Sequence, residues 1–98
     1  MDSQGTPLRV TVRLWVKDAQ FDTFAAYEKR AFALMARHGG KVLSVEQTHG
    51  SAGSAPDEIH VLEFPGEPAF ASYRNDPEVL AMADQREACI EKTEVEFS

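Results

Sequence analysis

Ninety-eight residues allow one domain, and ten Lys and Arg against sixteen Asp and Glu leave a net charge of −6. That sign weighs against duplex DNA and anionic membrane surfaces, whose charges would repel the chain. Hydrophobic residues at 43% and charged residues at 27% are ordinary globular values, which argues against wholesale disorder or a fibrous repeat.

Size scaling predicts that about two-thirds of the chain's surface is buried on folding, enough for one modest core. No apolar run approaches the ~18 residues of a membrane span. The polar start Met1-Asp2-Ser3-Gln4-Gly5 does not read as a signal peptide, so the expectation is a cytoplasmic protein. The single Cys89 rules out an internal disulfide and fits a reducing compartment.

Residues 1–7 read as a flexible N-terminus and 8–98 as a single domain. From Leu8 the pattern alternates, with Leu8, Val10, Val12, Leu14 and Val16 on one face and Arg9, Thr11, Arg13, Trp15 and Lys17 on the other. Period two with β-branched residues predicts a strand, and Trp15 suggests that its polar face meets a partner. Asp18 then reads as the N-cap of a helix. On that helix Phe21, Phe24, Tyr27, Ala31, Phe32, Leu34 and Met35 gather on one side. Gly39-Gly40 ends it, since glycine takes the left-handed C-cap conformation without a Cβ clash.

Lys41 to Thr48 predicts a second strand, with Leu43 and Val45 on one face and Val42, Ser44 and Glu46 on the other. His49 to Pro56 reads as a long hairpin loop. Glu58 to Phe64 is a third strand, apolar on both faces, which suits a central position in a sheet covered on both sides. Pro68 suits the first turn of a short helix to about Arg74, and Asp76-Pro77 caps and restarts it up to Cys89. Thr93, Val95 and Phe97 alternate with Lys92, Glu94 and Glu96 in a charged fourth strand suited to an edge.

The order β-α-β-β-α-β, with the second helix broken, predicts a ferredoxin-like α+β sandwich with one four-stranded antiparallel sheet. Two helices cover only one sheet face. A homodimer closed through the face bearing Trp15 would cover the other.

Phe24-x-x-Tyr27, His38-Gly39-Gly40-Lys41-Val42-Leu43, Glu63-Phe64-Pro65, Ala69-x-x-x-Tyr73, Asp76-Pro77-Glu78 and Arg86 occur in one consistent order. Together they resemble the small bacterial domain-of-unknown-function family numbered thirteen-thirty, in the dimeric α+β barrel superfamily, over about Leu8 to Phe97. The resemblance implies a homodimer whose two sheets face each other as a barrel, and it implies no chemistry. The wider superfamily includes cofactor-independent monooxygenases, isomerases, haem enzymes and ligand-sensing domains. Val79 stands where relatives usually carry an aromatic, and His49-Gly50 where they tend to have Glu-Gly, so a pocket there would differ in size and charge.

Glu28 is the most informative residue, because it falls within the apolar arc beside Phe21, Phe24, Phe32 and Met35. Burial there disfavours the charged carboxylate and would make Glu28 a proton carrier near neutral pH. The plainer alternative is that it bends to the rim or pairs with an Arg across the helix–sheet junction. Arg86 either anchors a ligand carboxylate or forms a salt bridge to Glu63 or a capping contact. Tyr27 and Tyr73 either present hydroxyls to a pocket or pack in the core with one polar tip.

His38, His49 and His60 show no metal-ligand spacing, so no metal is expected. His60, between Ile59 and Val61, joins Tyr27, Glu28, Tyr73 and Arg86 as a ligand-binding candidate, with a hydrogen-bonded interface histidine as the plainer expectation. No axial haem ligand, phosphate loop, nucleophile elbow or Cys–His pair is readable, so no cofactor is expected. Cys89 reads as a small buried hydrophobe. Two functions remain open: a homodimer that binds a small organic ligand, and a cofactor-independent isomerase or monooxygenase-like enzyme. The enzyme would act on a small apolar substrate with Glu28 as proton carrier.

Overall fold

Alternation along Leu8–Val16 produces strand β1, the second of two inner strands in a four-stranded sheet. The computed structural model describes residues 6–48 and 54–98. The sheet runs in the order β2-β3-β1-β4, with β2 at Lys41–Gln47, β3 at Glu58–Phe64 and β4 at Ile90–Phe97, and every neighbouring pair is antiparallel. The helices are α1 (Phe21–Arg37), α2 (Glu67–Arg74), α3 (Pro77–Leu80) and α4 (Ala83–Cys89). This is the expected ferredoxin-like arrangement, with β3 central and β4 at an edge. Most of the expected flexible end (1–7) and hairpin loop (49–56, His49-Gly50 included) falls at positions 1–5 and 49–53, which lie outside the described residues.

Register assigns the faces. Val10, Val12 and Leu14 stand beside Leu62, His60 and Glu58 on the side of the helices. Arg9, Thr11 and Arg13 stand beside Glu63, Val61 and Ile59 on the far side. On β2 the expected alternation breaks. A register shift between Val42 and Ser44 inserts one residue, so Val42 pairs with Leu62 and Val45 with His60 on the helix side. A bulge reverses the parity that simple alternation assumes.

Asp18 does not cap α1. The helix starts at Phe21 with Gln20 at the N-cap, whose carbonyl accepts the Phe24 N–H, while Ala19 takes a left-handed φ of 64° in the preceding turn. Phe21, expected on the buried arc, is left 43% exposed by this first-turn position. At the other end the glycine stop is as expected. Gly39 sits at φ 77° and donates to Ala36 O, and Gly40 donates to Met35 O, the paired bonds of a Schellman cap. A Cβ on Gly40 would meet the buried Phe64 ring at 2.7 Å, so this position joins α1 to β3 closely.

The second helical segment breaks twice. Asp76 caps α3 by accepting the Glu78 N–H at 2.8 Å, with Pro77 in the first turn. A second turn, closed by the Met82 N–H on Val79 O, precedes α4.

The core consequently falls into two clusters. One gathers Val10, Ala31, Leu34, Met35, Leu62, Phe64, Tyr73 and Met82. The other gathers Leu14, Val16, Phe24, Cys89 and Ile90, and the partly buried Val12 and Tyr27 pack against both. One helix layer on one sheet makes the molecule 16 Å deep along its shortest axis. Trp15 on the far face donates its indole N–H to Ser54 O at 2.8 Å, and Lys92 Nζ lies 4.6 Å from the ring centre.

Candidate functional site

Between the two core clusters lies a cleft of about 390 Å³. Val12 and Leu14 of β1 form part of its apolar lining, with Phe24, Ala31 and Phe32 from α1. Tyr27, Glu28, His60, Tyr73 and Arg86 all line it, so all five candidate residues converge there. An adjoining hollow of about 750 Å³ beside Leu8, Phe70 and Phe97 is larger, but it gathers no comparable set of titratable groups. Chemistry therefore favours the smaller cleft.

Glu28 comes from the apolar arc of α1 because that arc faces β3. Glu58 and His60 are two residues apart on β3 and so share its helix-facing side. His60 Nε2 lies 2.8 Å from Glu58 Oε1 and 2.8 Å from Glu28 Oε2. One N–H serves one acceptor well. The imidazole is aligned for the hydrogen bond to Glu58, and Glu28 Oε2, though close, is a buried oxygen without a hydrogen-bond partner. Gln47 Nε2 donates to the second Glu58 oxygen at 3.2 Å. Phe24 and Phe32 pack against the His60 ring.

His60 is therefore not an interface histidine. It is 4% exposed and lies beneath α1, on the same side as Leu62 and Phe64. Nor does Glu28 pair with an Arg. Its partners are His60 and the neighbouring Glu58, a residue that strand alternation alone does not single out. The signal for Glu58 was its i, i+2 relation to His60, legible once the strand's buried face is known.

The proton distribution follows from these contacts. Burial raises the Glu58 carboxyl, and Glu28 raises it further. For Glu28, burial acts upward, but contacts with His60 and Glu58 prevail and lower it. Burial works against the His60 imidazolium, yet the two carboxylates outweigh it and raise His60 above its ordinary value. The cluster can thus hold and exchange protons among three groups. The three ligand atoms lie within 4.8 Å of one another, and one imidazole with two carboxylates is also a donor set that suits a divalent cation.

Arg86 projects from α4 and donates to Thr93 Oγ1 at 2.7 Å. It does not pair with Glu63, which pairs with Arg9. Its charge bears on Tyr27, whose hydroxyl is raised by burial and partly restored by Arg86. Burial also raises Tyr73. Val79, smaller than an aromatic, leaves its share of the cleft open. Cys89 is fully buried and burial raises its thiol, in keeping with a small hydrophobe.

Residues 12–95 match the family model described as a domain of unknown function, DUF1330. A protein of unknown function from Rhodopseudomonas palustris has a similar fold, with a TM-score of 0.79, 20% identity, and coverage of 94% of this chain and 80% of that one. A cofactor-independent oxygenase from Streptomyces nogalater aligns with a TM-score of 0.72 at 17% identity over 96% of this chain and 92% of its own. A dimeric protein of ferredoxin-like fold from Bacteroides fragilis aligns with a TM-score of 0.67 at 16% identity over 94% of each chain. No curated protein matches the sequence. Identities this low establish the fold alone.

The cluster predicts a specific pH response. The raised His60 value gives stability that is fully present below the ordinary histidine value and is lost as pH rises through the folded one. The lowered Glu28 acts oppositely, with stability present above the ordinary carboxyl value and lost as pH falls through its folded one. In an NMR titration with chelator present, His60 should titrate above its ordinary value, and Glu28→Gln should move that midpoint down. An unmoved midpoint would disprove the coupling.

Proposed function

The chain belongs to the DUF1330 family, and from that premise we propose that it is a homodimer binding a small, mostly apolar organic ligand in the helix–sheet cleft. The cleft carries the proposal. Its volume of about 390 Å³ lies in the range of small-molecule sites, and its apolar walls carry a few converging polar groups. Indole, a small apolar probe, should shift amide resonances around the cleft in the wild type. Val79→Trp, which fills the rim, should weaken that binding tenfold or more without lowering thermal stability. Equal binding to both proteins would reject the cleft as the site.

Self-association has separate support. Ile59, Val61 and Trp15 lie on the sheet face that no helix covers, with the ion pairs Arg9–Glu63 and Arg13–Glu96 around them. An apolar centre within a polar rim suits an interface. The Bacteroides fragilis relative of the same fold is dimeric. Light scattering at micromolar concentration should give twice the chain mass, and Val61→Lys should reduce it to the chain mass. A monomeric wild type would refute this arrangement.

The coupled carboxylates favour a second reading, a cofactor-independent enzyme with Glu28 as proton carrier. The fold similarity to an oxygenase described as cofactor-independent is compatible with it. Exchange of the acidic carbon-bound protons of β-tetralone with D₂O should exceed the buffer rate and fall to that rate in Glu28→Gln. Exchange unchanged by the substitution would remove this reading.

A further inference from the structure

The cleft has two chemically different poles on opposite sides of β1. Glu28, Glu58 and His60 form the first, above β3. Arg86 forms the second, held above β4 by its bond to Thr93. Thr93 pairs with Leu14, and His60 pairs with Val12, so the central strand separates the poles. With strands about 4.8 Å apart, the backbones carrying the two poles are roughly 10 Å apart across the sheet. Val12 and Leu14 provide apolar surface between them.

Each pole is incomplete in a way that specifies a ligand group. Guanidinium offers five N–H donors in a planar fork, and Arg86 has no carboxylate partner among the described residues. Arg9, Arg13, Arg30 and Arg37 are each paired with a glutamate. Two cations without a carboxylate partner among the described residues line the cleft: Arg74, whose Cζ lies 5.7 Å from the centre of the Phe70 ring, and Arg86. Of the two, Arg86 lies beside the hydroxyl of Tyr27 and is bonded to Thr93 of β4, across β1 from Glu28. At the other pole, Glu58 and His60 have side chains only 7% and 6% exposed. Glu28, at 19%, is the carboxylate of the cluster that a ligand can reach, and it lines the cleft while Glu58 does not.

We infer that the ligand is a small hydroxylated organic acid whose anionic head sits on Arg86 and whose hydroxyl faces Glu28, with an apolar body across Val12 and Leu14. A carboxylate against guanidinium forms a charge-assisted, bidentate pair that neither an amide nor an alcohol reproduces. A hydroxyl donates to Glu28, which a purely apolar ligand would leave facing it unpaired. The apolar body accounts for the separation of the two polar ends. This inference rests on the cleft being the ligand site, and it adds the chemical class.

The experiment compares three probes by calorimetry: para-hydroxyphenylacetate, its amide para-hydroxyphenylacetamide, and phenylacetate. The hydroxy acid should bind the wild type about tenfold or more tighter than the amide, and about fivefold tighter than phenylacetate. Arg86→Gln should erase the advantage over the amide and leave the hydroxyl preference. Glu28→Ala should erase the hydroxyl preference and leave the charge preference, with comparisons made inside each variant so that cavity effects cancel. Arg86→Lys should restore part of the charge preference, which a folding defect would not do.

Equal binding of acid and amide by the wild type would overturn the anionic seat while leaving the cleft a ligand site. A charge preference that survives Arg86→Gln, or a hydroxyl preference that survives Glu28→Ala, would overturn the assignment of the poles. If indole binds and none of the three probes does, the ligand class is wrong and the cleft reading stands. If indole fails as well, the cleft reading fails and this inference falls with it.

Discussion

The cleft exists because the second helical segment cannot lie as one rod along the sheet. Pro77 has no amide hydrogen, and its ring disfavours the helical conformation at Asp76, which adopts φ −62° and ψ 127°. The chain therefore stops, caps with Asp76 and restarts in a new direction. The bend is fastened to the end of α1 by His38 Nε2, 2.8 Å from Asp76 Oδ2, and by Arg30 and Arg37 on Glu78. The exposed arginine pairs contribute little each. The half-buried His38–Asp76 contact and the cap at Glu78 N are the stronger ties, and His38 lowers the Asp76 carboxyl. With its helices so divided, the layer packs as two clusters rather than one, and the gap between them is where polar side chains meet.

Two carboxylates and an imidazole beneath a helix would be costly if left to themselves, since burial penalises each charge separately. Here each group reduces the cost of another. The imidazolium offsets negative charge, the raised Glu58 carboxyl can hold a proton at a pH where Glu28 is ionised, and Gln47 supplies a further donor to Glu58. The remaining defect is Glu28 Oε2, close to His60 but without a hydrogen bond. Such a network is stable enough to persist and unbalanced enough to respond to a new hydrogen-bond donor.

Much of the fold was legible because the strongest local signals agreed. Alternation in β1, glycine at the end of α1 and Asp76-Pro77 each have a local physical cause, and each acts in the folded chain as the pattern implied. The failures came where one residue's placement depends on its neighbours. The bulge in β2 put Val42 and Val45 on the same face because parity is lost when one extra residue enters. Asp18 looked like a cap, but the turn through Ala19 carries the helix start two residues further on. Glu28 stood out against apolar helix neighbours, whereas Glu58 and His60 looked like an ordinary polar alternation until β3 was known to face α1.

The same geometry explains why fold similarity leaves the chemistry open. In this chain the strand order places Glu28 of α1 over β3 and Arg86 of α4 beside β4, with β1 between them. Glu28 stands with Glu58 and His60 at one pole and Arg86 at the other. Replacing those four side chains would leave the apolar clusters largely intact and remove the titratable cluster and the Arg86 charge. Apolar packing and titratable groups therefore reside in different residues: the former in the two clusters, the latter in the seam between them.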